Sequence, residues 1–168
     1  MMFEAAVLTV LPGAVAFAAA MDLLTMKIPN RIPAVMVLAF FPLALVAGFN
    51  AWDMANHVAA GLLMLLLGVL LFIPGWFGGG DAKLMAAICL WIGADNLAAY
   101  MIWVALAGGV IAVAFFSARS VPLPRLFLGE AWALRLHRPD TGIPYGLALA
   151  AGALLVYPHT AWFVSLAR

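Results

Sequence analysis

The sequence predicts an all-α membrane protein with six transmembrane helices packed in one bundle. Of its 168 residues, 68% are hydrophobic and only 9% are charged, and the mean hydropathy is +1.15. Several uncharged stretches approach the roughly 20 residues that a helix needs to cross about 30 Å of hydrocarbon. Because no stretch is left for a soluble domain of about 50 residues or more, we expect a single transmembrane domain over residues 1–168.

Six apolar segments are predicted to span the membrane, and the connections between them carry nearly every charge: residues 5–21, 32–49, 57–74, 82–94, 97–116 and 143–163. A single helix over 82–116 would be roughly 50 Å long, so the sequence GADN at 93–96 is predicted to be a turn. The loop 118–142 has a poor amphipathic pattern. It is predicted to lie at the surface of anionic lipid, with substrate docking or gating as the alternative.

The basic residues predict the orientation of the bundle. With six spans, seven of them fall on one side of the membrane: Lys27, Arg31, Lys83, Arg119, Arg125, Arg135 and Arg138. Only Arg168 falls on the other side, so the positive-inside rule places both termini outside and the seven basic residues in the cytoplasm. Trp52, Trp76 and Trp162 lie near predicted span ends and are interpreted as interfacial aromatic residues.

Two aspartates lie at predicted span ends on the cytoplasmic side. Asp22 ends the first span and Asp81 precedes the fourth, 59 positions later. An acidic residue at a membrane border is costly, which makes each a candidate for function. Taken singly, Asp22 is also interpretable as a solvated interfacial carboxylate and Asp81 as a helix N-cap. Because both fall on one face, the sequence favours a catalytic pair.

Two neighbouring carboxyl groups in a partly desolvated site do not both ionise easily, so they hold one proton between them. The ionised member takes a proton from water, and the protonated member donates to a scissile carbonyl. Three glycines precede Asp81, namely Gly78, Gly79 and Gly80. They allow another backbone to approach closely, as the binding of an extended peptide requires.

Other classes of site find little support. Cys89 is the only cysteine, which excludes an internal disulfide and a zinc site built on paired cysteines. His137 and His159 are predicted on opposite sides of the membrane, so no metal and no cofactor is expected. No basic cluster suggests a nucleic-acid partner. Two alternatives stay open: a carrier in which the aspartates relay protons or bind a cation, and a non-catalytic subunit of a pilus or secretion assembly.

Three motifs resemble those of the prepilin peptidases, membrane aspartic proteases that cut the leader from type IV prepilins. They are Asp22 followed by Ile28, Pro29 and Asn30; Gly78, Gly79, Gly80 and Asp81 followed by Ala82, Lys83 and Leu84; and Pro144, Tyr145 and Gly146 at the start of the last span. The similarity is greatest to the short form of the tight-adherence (Flp) pilus systems and covers essentially the whole chain.

The resemblance implies an aspartic endopeptidase of the inner membrane with Asp22 and Asp81 as its catalytic residues. It implies a pilin-like precursor as the substrate, with a short charged leader before a hydrophobic helix. We expect substrate contacts at Gly78, Gly79, Gly80, Lys83, Pro144, Tyr145 and Gly146. Membrane lipid and the pilus assembly machinery are further expected partners. Longer members carry a cytoplasmic domain with paired cysteines and also methylate the new N-terminus; without that domain, cleavage alone is predicted.

Overall fold

The structure is a computed structural model that describes residues 2–166, and within this range it is helical throughout, without strands. Eight α-helices follow one another: α1 (Met2–Thr25), α2 (Arg31–Val46), α3 (Ala51–Phe72), α4 (Gly79–Ile92), α5 (Leu97–Arg119), α6 (Ala131–His137), α7 (Gly146–Val156) and α8 (Ala161–Leu166). The predicted all-α class is confirmed. Arg168 lies outside the described residues.

Three segments are long and apolar enough to cross a membrane: Phe3–Thr25, Ala51–Phe72 and Ala94–Arg119. The helices α2, α4 and α7 are shorter, with 16, 14 and 11 residues, so the count of six spans stays a prediction. The predicted span 143–163 is not one helix. It is interrupted after Val156 by a 3-10 turn over Tyr157–His159, because Pro158 cannot donate the backbone hydrogen bond that an α-helix needs.

The helices α4 and α7 form the inside of the bundle. α4 packs against α2, α3 and α7, and α7 also packs against α1 and α5. Nine of the 14 residues of α4 are buried, whereas the large exposed apolar side chains lie mainly on α2, α3 and α5. Exposed apolar faces on the outer helices suit a bundle whose solvent is lipid.

Small residues let the inner and outer helices approach closely. A Cβ at Gly68 of α3 would lie 2.7 Å from the Cβ of Ala82 on α4. A Cβ at Gly152 of α7 would lie 2.6 Å from Cγ2 of Val104 on α5. Such contacts between small residues are typical of helix pairs in membranes. They join α4 firmly to α3 and α7 firmly to α5.

The end of the bundle opposite the aspartates contains the predicted turn at 93–96. Gly93 has a φ of +79°, which favours glycine, and a 3-10 turn over Ala94–Asn96 leads into α5. The Ala94 N–H donates to Oδ1 of Asn56, at 2.8 Å. The fourth and fifth predicted helices are therefore separate.

The interfacial assignment is wrong for Trp162. Trp52 and Trp76 are each 79% exposed, but Trp162 is fully buried. Its indole N–H donates to the Trp91 carbonyl at 2.7 Å, and its ring stacks on that of Trp91 with 4.8 Å between centroids. The break after α7 turns α8 inward, which places this tryptophan in the core.

The loop 118–142 is fastened to the end of the bundle that carries Asp22. It contains a 3-10 turn over Arg125–Phe127 and the short helix α6. Arg119 at the end of α5 donates to the carbonyls of Leu136, at 2.8 Å, and of Gly142, at 3.0 Å. Arg135 of α6 donates to the Leu24 carbonyl of α1. These bonds hold α6 between the ends of α1 and α5.

Candidate active site

Asp22 and Asp81 line one cavity, which we call the dyad cavity. Asp22 lies in the last turn of α1 and Asp81 in the first turn of α4. The cavity has a volume of about 330 Å³, and its other lining residues are Met26, Lys27, Ile28, Gly78, Gly79 and Gly80. The helix ends therefore bring together two residues that are distant in sequence.

The N-terminus of α7 holds the carboxylate of Asp22. This side chain is only 5% exposed, and its Oδ2 accepts a hydrogen bond from the Gly146 N–H at 2.7 Å. A Cβ at Gly146 would come within 2.8 Å of the same oxygen, so a glycine is needed for the approach. Because the N-terminus of a helix carries partial positive charge, this position favours a carboxylate.

The chain leaves α1 sharply after Asp22. Met26 has a φ of +55°, a left-handed conformation that costs a residue with a side chain about 1–2 kcal/mol. The Met26 N–H donates to the Asp22 carbonyl at 2.7 Å. The turn directs residues 27–30 across the start of α4.

Gly80 admits this α1–α2 connection. A Cβ at Gly80 would lie 3.2 Å from the Cβ and 3.4 Å from the carbonyl oxygen of Ile28. The glycines were expected to let the backbone of a peptide substrate approach. At Gly80 the approaching backbone is instead that of Ile28 in this chain. The contact fixes the segment after Asp22 against the segment before Asp81.

The start of α4 differs from the sequence prediction. The helix begins at Gly79, its N-cap is Gly78, and Asp81 is its third residue. The interpretation of Asp81 as an N-cap is therefore wrong, and two of the three glycines that precede it lie in the helix.

The two oxygens of Asp81 have different surroundings. Oδ2 lies against Gly78, where a Cβ would come within 2.5 Å of it. Oδ1 is buried and has no hydrogen-bond partner among the residues that the structure describes. An unpaired buried oxygen is costly, and it belongs to a residue that lines the dyad cavity.

Lys83 does not line the dyad cavity. Its Nζ donates to Oδ1 of Asn30 at 3.0 Å, which ties α4 to the start of α2. The sequence predicts a substrate contact for Lys83 and no separate role for Asn30. The feature of the sequence that points to Asn30 is its spacing from Asp22, because this spacing sets the length of the connection that crosses α4.

Pro144, Tyr145 and Gly146, at the start of α7, have separate environments. Gly146 contacts Asp22, as described above. Tyr145 lines a larger cavity of about 690 Å³, which Gly78 and Asp81 also line, and its ring lies edge-on to Phe77 at 5.8 Å. Pro144 is buried and lines neither cavity. Over the described part of the chain, no group of three or more His, Cys, Asp or Glu side chains is arranged to hold a metal ion.

Residues 9–113 match the model of the type IV leader peptidase family. The matched region includes Asp22, Asn30, Lys83 and Asp81, and it ends before Gly146. No curated protein and no solved structure matches the chain.

Proposed function

Because the chain belongs to the type IV leader peptidase family, we propose that this membrane peptidase is an aspartic endopeptidase that removes the leader from type IV prepilins. Asp22 and Asp81 are its catalytic pair. The observation that carries the proposal is their position on one cavity of about 330 Å³. A water molecule between two such carboxyl groups is activated without a metal or a covalent intermediate.

The two carboxyl groups have different roles in the proposed reaction. Asp22 accepts the hydrogen bond from the first N–H of α7, and a donor of this kind stabilises the ionised form of a carboxyl group. Asp22 is therefore the base that takes a proton from water. Asp81 has the unpaired Oδ1 and is the acid that donates to the scissile carbonyl and then to the leaving amine.

The proposed site faces the cytoplasm from the inner membrane, with both termini outside. The support is the position of basic residues at the same end of the bundle as the aspartates. Lys27 lines the dyad cavity, Lys83 bonds to Asn30 at the start of α2, and Arg135 bonds to the end of α1. A prepilin leader stays on this side when its hydrophobic helix inserts.

We further propose that the enzyme is of the short Flp type and cleaves without methylating the new N-terminus. The connection between α1 and α2 supports this, because it lies at the end of the bundle that carries the aspartates and comprises only residues 26–30. Five residues leave no space there for the cytoplasmic domain that the longer, methylating members carry. The test is the mass of the N-terminal peptide of the processed pilin, which is expected to lack a methyl group.

The test of the catalytic pair is co-expression with a Flp-type pilin precursor. Asp22→Asn and Asp81→Asn should each lower the rate of leader removal by about 10²–10⁴-fold, since each removes a proton-transfer group. Asp95→Asn is the matched control, because it is the same substitution at the opposite end of the bundle. There Asp95 accepts a hydrogen bond from Asn56 at 3.3 Å. Its rate should equal that of the wild type.

Normal processing by either Asp22→Asn or Asp81→Asn contradicts the catalytic pair. A non-catalytic assembly subunit would tolerate both changes. A proton or cation carrier would show transport that depends on the aspartates and no leader removal by the purified wild-type protein.

A further inference from the structure

Two apolar cavities of similar size lie on either side of α4. We call the first the α3–α5 cleft; it has a volume of about 690 Å³ and is lined by residues that include Leu67, Leu71, Met85, Phe116, Leu149 and Asp81. We call the second the α2–α3 groove; it has a volume of about 610 Å³ and is lined by residues that include Val37, Leu38, Leu62, Leu65 and Lys83. Both are mainly apolar and similar in size, but the α3–α5 cleft is the more polar of the two, because Asp81, Arg119 and Thr141 also line it.

The α3–α5 cleft exists because the two outer helices do not pack along one another. α3 packs on α4 and α5 packs on α7, while α4 and α7 contact each other behind the cleft. At the end opposite the aspartates, the 3-10 turn over Ala94–Asn96 contacts both α3 and α5 and joins them. The cleft is therefore bounded at that end and continues along α5 to the end that carries Asp81.

The α3–α5 cleft meets the dyad cavity at the carboxylate of Asp81. Gly78 and Asp81 line both cavities, so a chain that leaves one enters the other at this residue. The α2–α3 groove has no such connection, because the acidic residues are absent from its lining and its polar end is formed by Asn30 and Lys83.

We propose that the α3–α5 cleft receives the hydrophobic helix of the precursor, while the leader occupies the dyad cavity and the scissile bond lies at Asp81. This inference rests on the proposed function and specifies the site of its substrate. A substrate that is polar on one side of the scissile bond and apolar on the other matches a polar cavity and an apolar cleft that meet at a catalytic carboxylate.

The length of the cleft fits such an occupant. Its lining on α5 extends from Met101 to Arg119, which corresponds to roughly 27 Å along a helix and to about 18 residues of a docked helix. Because both outer helices expose apolar side chains, the precursor helix can move sideways from the lipid into the cleft without crossing a polar barrier.

Photocrosslinking tests the location directly. A benzoylphenylalanine is introduced at Leu67 or Phe116 in the cleft, and at Leu38 or Leu62 in the groove as matched controls. The background is Asp22→Asn, which keeps the co-expressed Flp-type precursor intact and leaves the lining of the cleft unchanged. Crosslinks from Leu67 and Phe116 that are several-fold stronger than those from Leu38 and Leu62 support the proposal.

A kinetic measurement on the otherwise wild-type enzyme complements the crosslinks. Leu71→Trp fills the cleft and should raise KM about tenfold with little change in kcat, since it removes binding rather than chemistry. Leu62→Trp adds the same bulk to the groove and should leave KM within about twofold of wild type.

The outcomes separate this inference from the proposed function. Crosslinks mainly from Leu38 and Leu62, or a KM that rises only in Leu62→Trp, overturn the cleft as the docking site although the enzyme cleaves the precursor. Equal and weak crosslinks from all four positions overturn it as well. Failure of the wild-type enzyme to cleave the precursor is instead a failure of the proposed function.

Discussion

Gly78→Ala adds one methyl group beside the Asp81 carboxylate, and we predict that it slows cleavage while leaving the fold intact. The backbone of Gly78 has φ −72° and ψ 140°, values that alanine adopts without strain. The new Cβ would lie 2.5 Å from Oδ2 of Asp81, whereas ordinary contacts begin near 3.4 Å. The carboxylate must therefore retreat by about 0.9 Å, as these two distances require.

The displacement sets the size of the effect. A misplacement of about 1 Å in a catalytic group costs on the order of 100-fold in rate, which corresponds to about 2.7 kcal/mol in the activation barrier. The moving group is the end of a side chain and not backbone, so the free energy of unfolding should change by no more than about 1 kcal/mol. Only the rate of cleavage is expected to fall.

The assay measures leader removal from a Flp-type precursor by purified variants in detergent, together with their thermal unfolding. Gly109→Ala is the matched control, because a Cβ at this helical position of α5 would meet no atom within 4 Å. It should cleave at a rate close to wild type and gain up to about 1 kcal/mol in stability from the helical position. Equal rates for Gly78→Ala and Gly109→Ala would refute the reasoning.

Two further predictions concern the contacts that hold the site together. Asn30→Ala and Lys83→Met each remove the bond between α4 and the start of α2, so a double-mutant cycle on unfolding should give a coupling of about 0.5–1.5 kcal/mol, with slower leader removal in both variants. Gly146→Ala should lower the free energy of unfolding in detergent by about 1–3 kcal/mol through overpacking, because its Cβ would lie 2.8 Å from Oδ2 and 3.0 Å from Cβ of Asp22.

Matched controls exist for both. Arg138 and Asp140 form an ion pair at 2.7 Å in which both side chains are mostly exposed. The hydrogen bond from Arg138 lowers the pKa of Asp140, but this exposed local pair joins no helices and should show a weaker coupling in unfolding than Asn30 and Lys83. Gly142→Ala meets only Met26 at 3.6 Å and should be neutral. A coupling at Asn30–Lys83 as weak as in the exposed pair, or an unfolding free energy unchanged by Gly146→Ala, contradicts the respective contact.

The helical architecture and the meeting of Asp22 with Asp81 could be predicted because the membrane imposes both on the sequence. A helix must be apolar over the thickness of the bilayer, and its basic flanks prefer one side. With six spans, these two rules place the end of the first helix and the start of the fourth helix on the same side of the membrane. The turn at 93–96 was predictable for the same reason, since residues 82–116 are too long for one crossing.

Contacts between distant segments could not be predicted in this way. Trp162 has the composition and position of an interfacial residue, and only the turn after α7 brings it against Trp91. Lys83 looks like a neighbour of Asp81 because it is two positions away, but a helix points such residues in different directions. The seven residues of α6 are too few to give a periodic pattern.

The hydrogen bond between Asp22 and Gly146 spans 124 positions of the chain, and this separation determines when the site is completed. A ribosome that adds about 5–20 residues per second needs roughly 6–25 s to make the intervening chain. During that time the first helix is already made, while the donor for its carboxylate does not yet exist. The Asp22 carboxylate therefore gains its donor only once Gly146 has been synthesised, well after both aspartates are made, and a nascent chain that has not reached α7 lacks the geometry of the finished site.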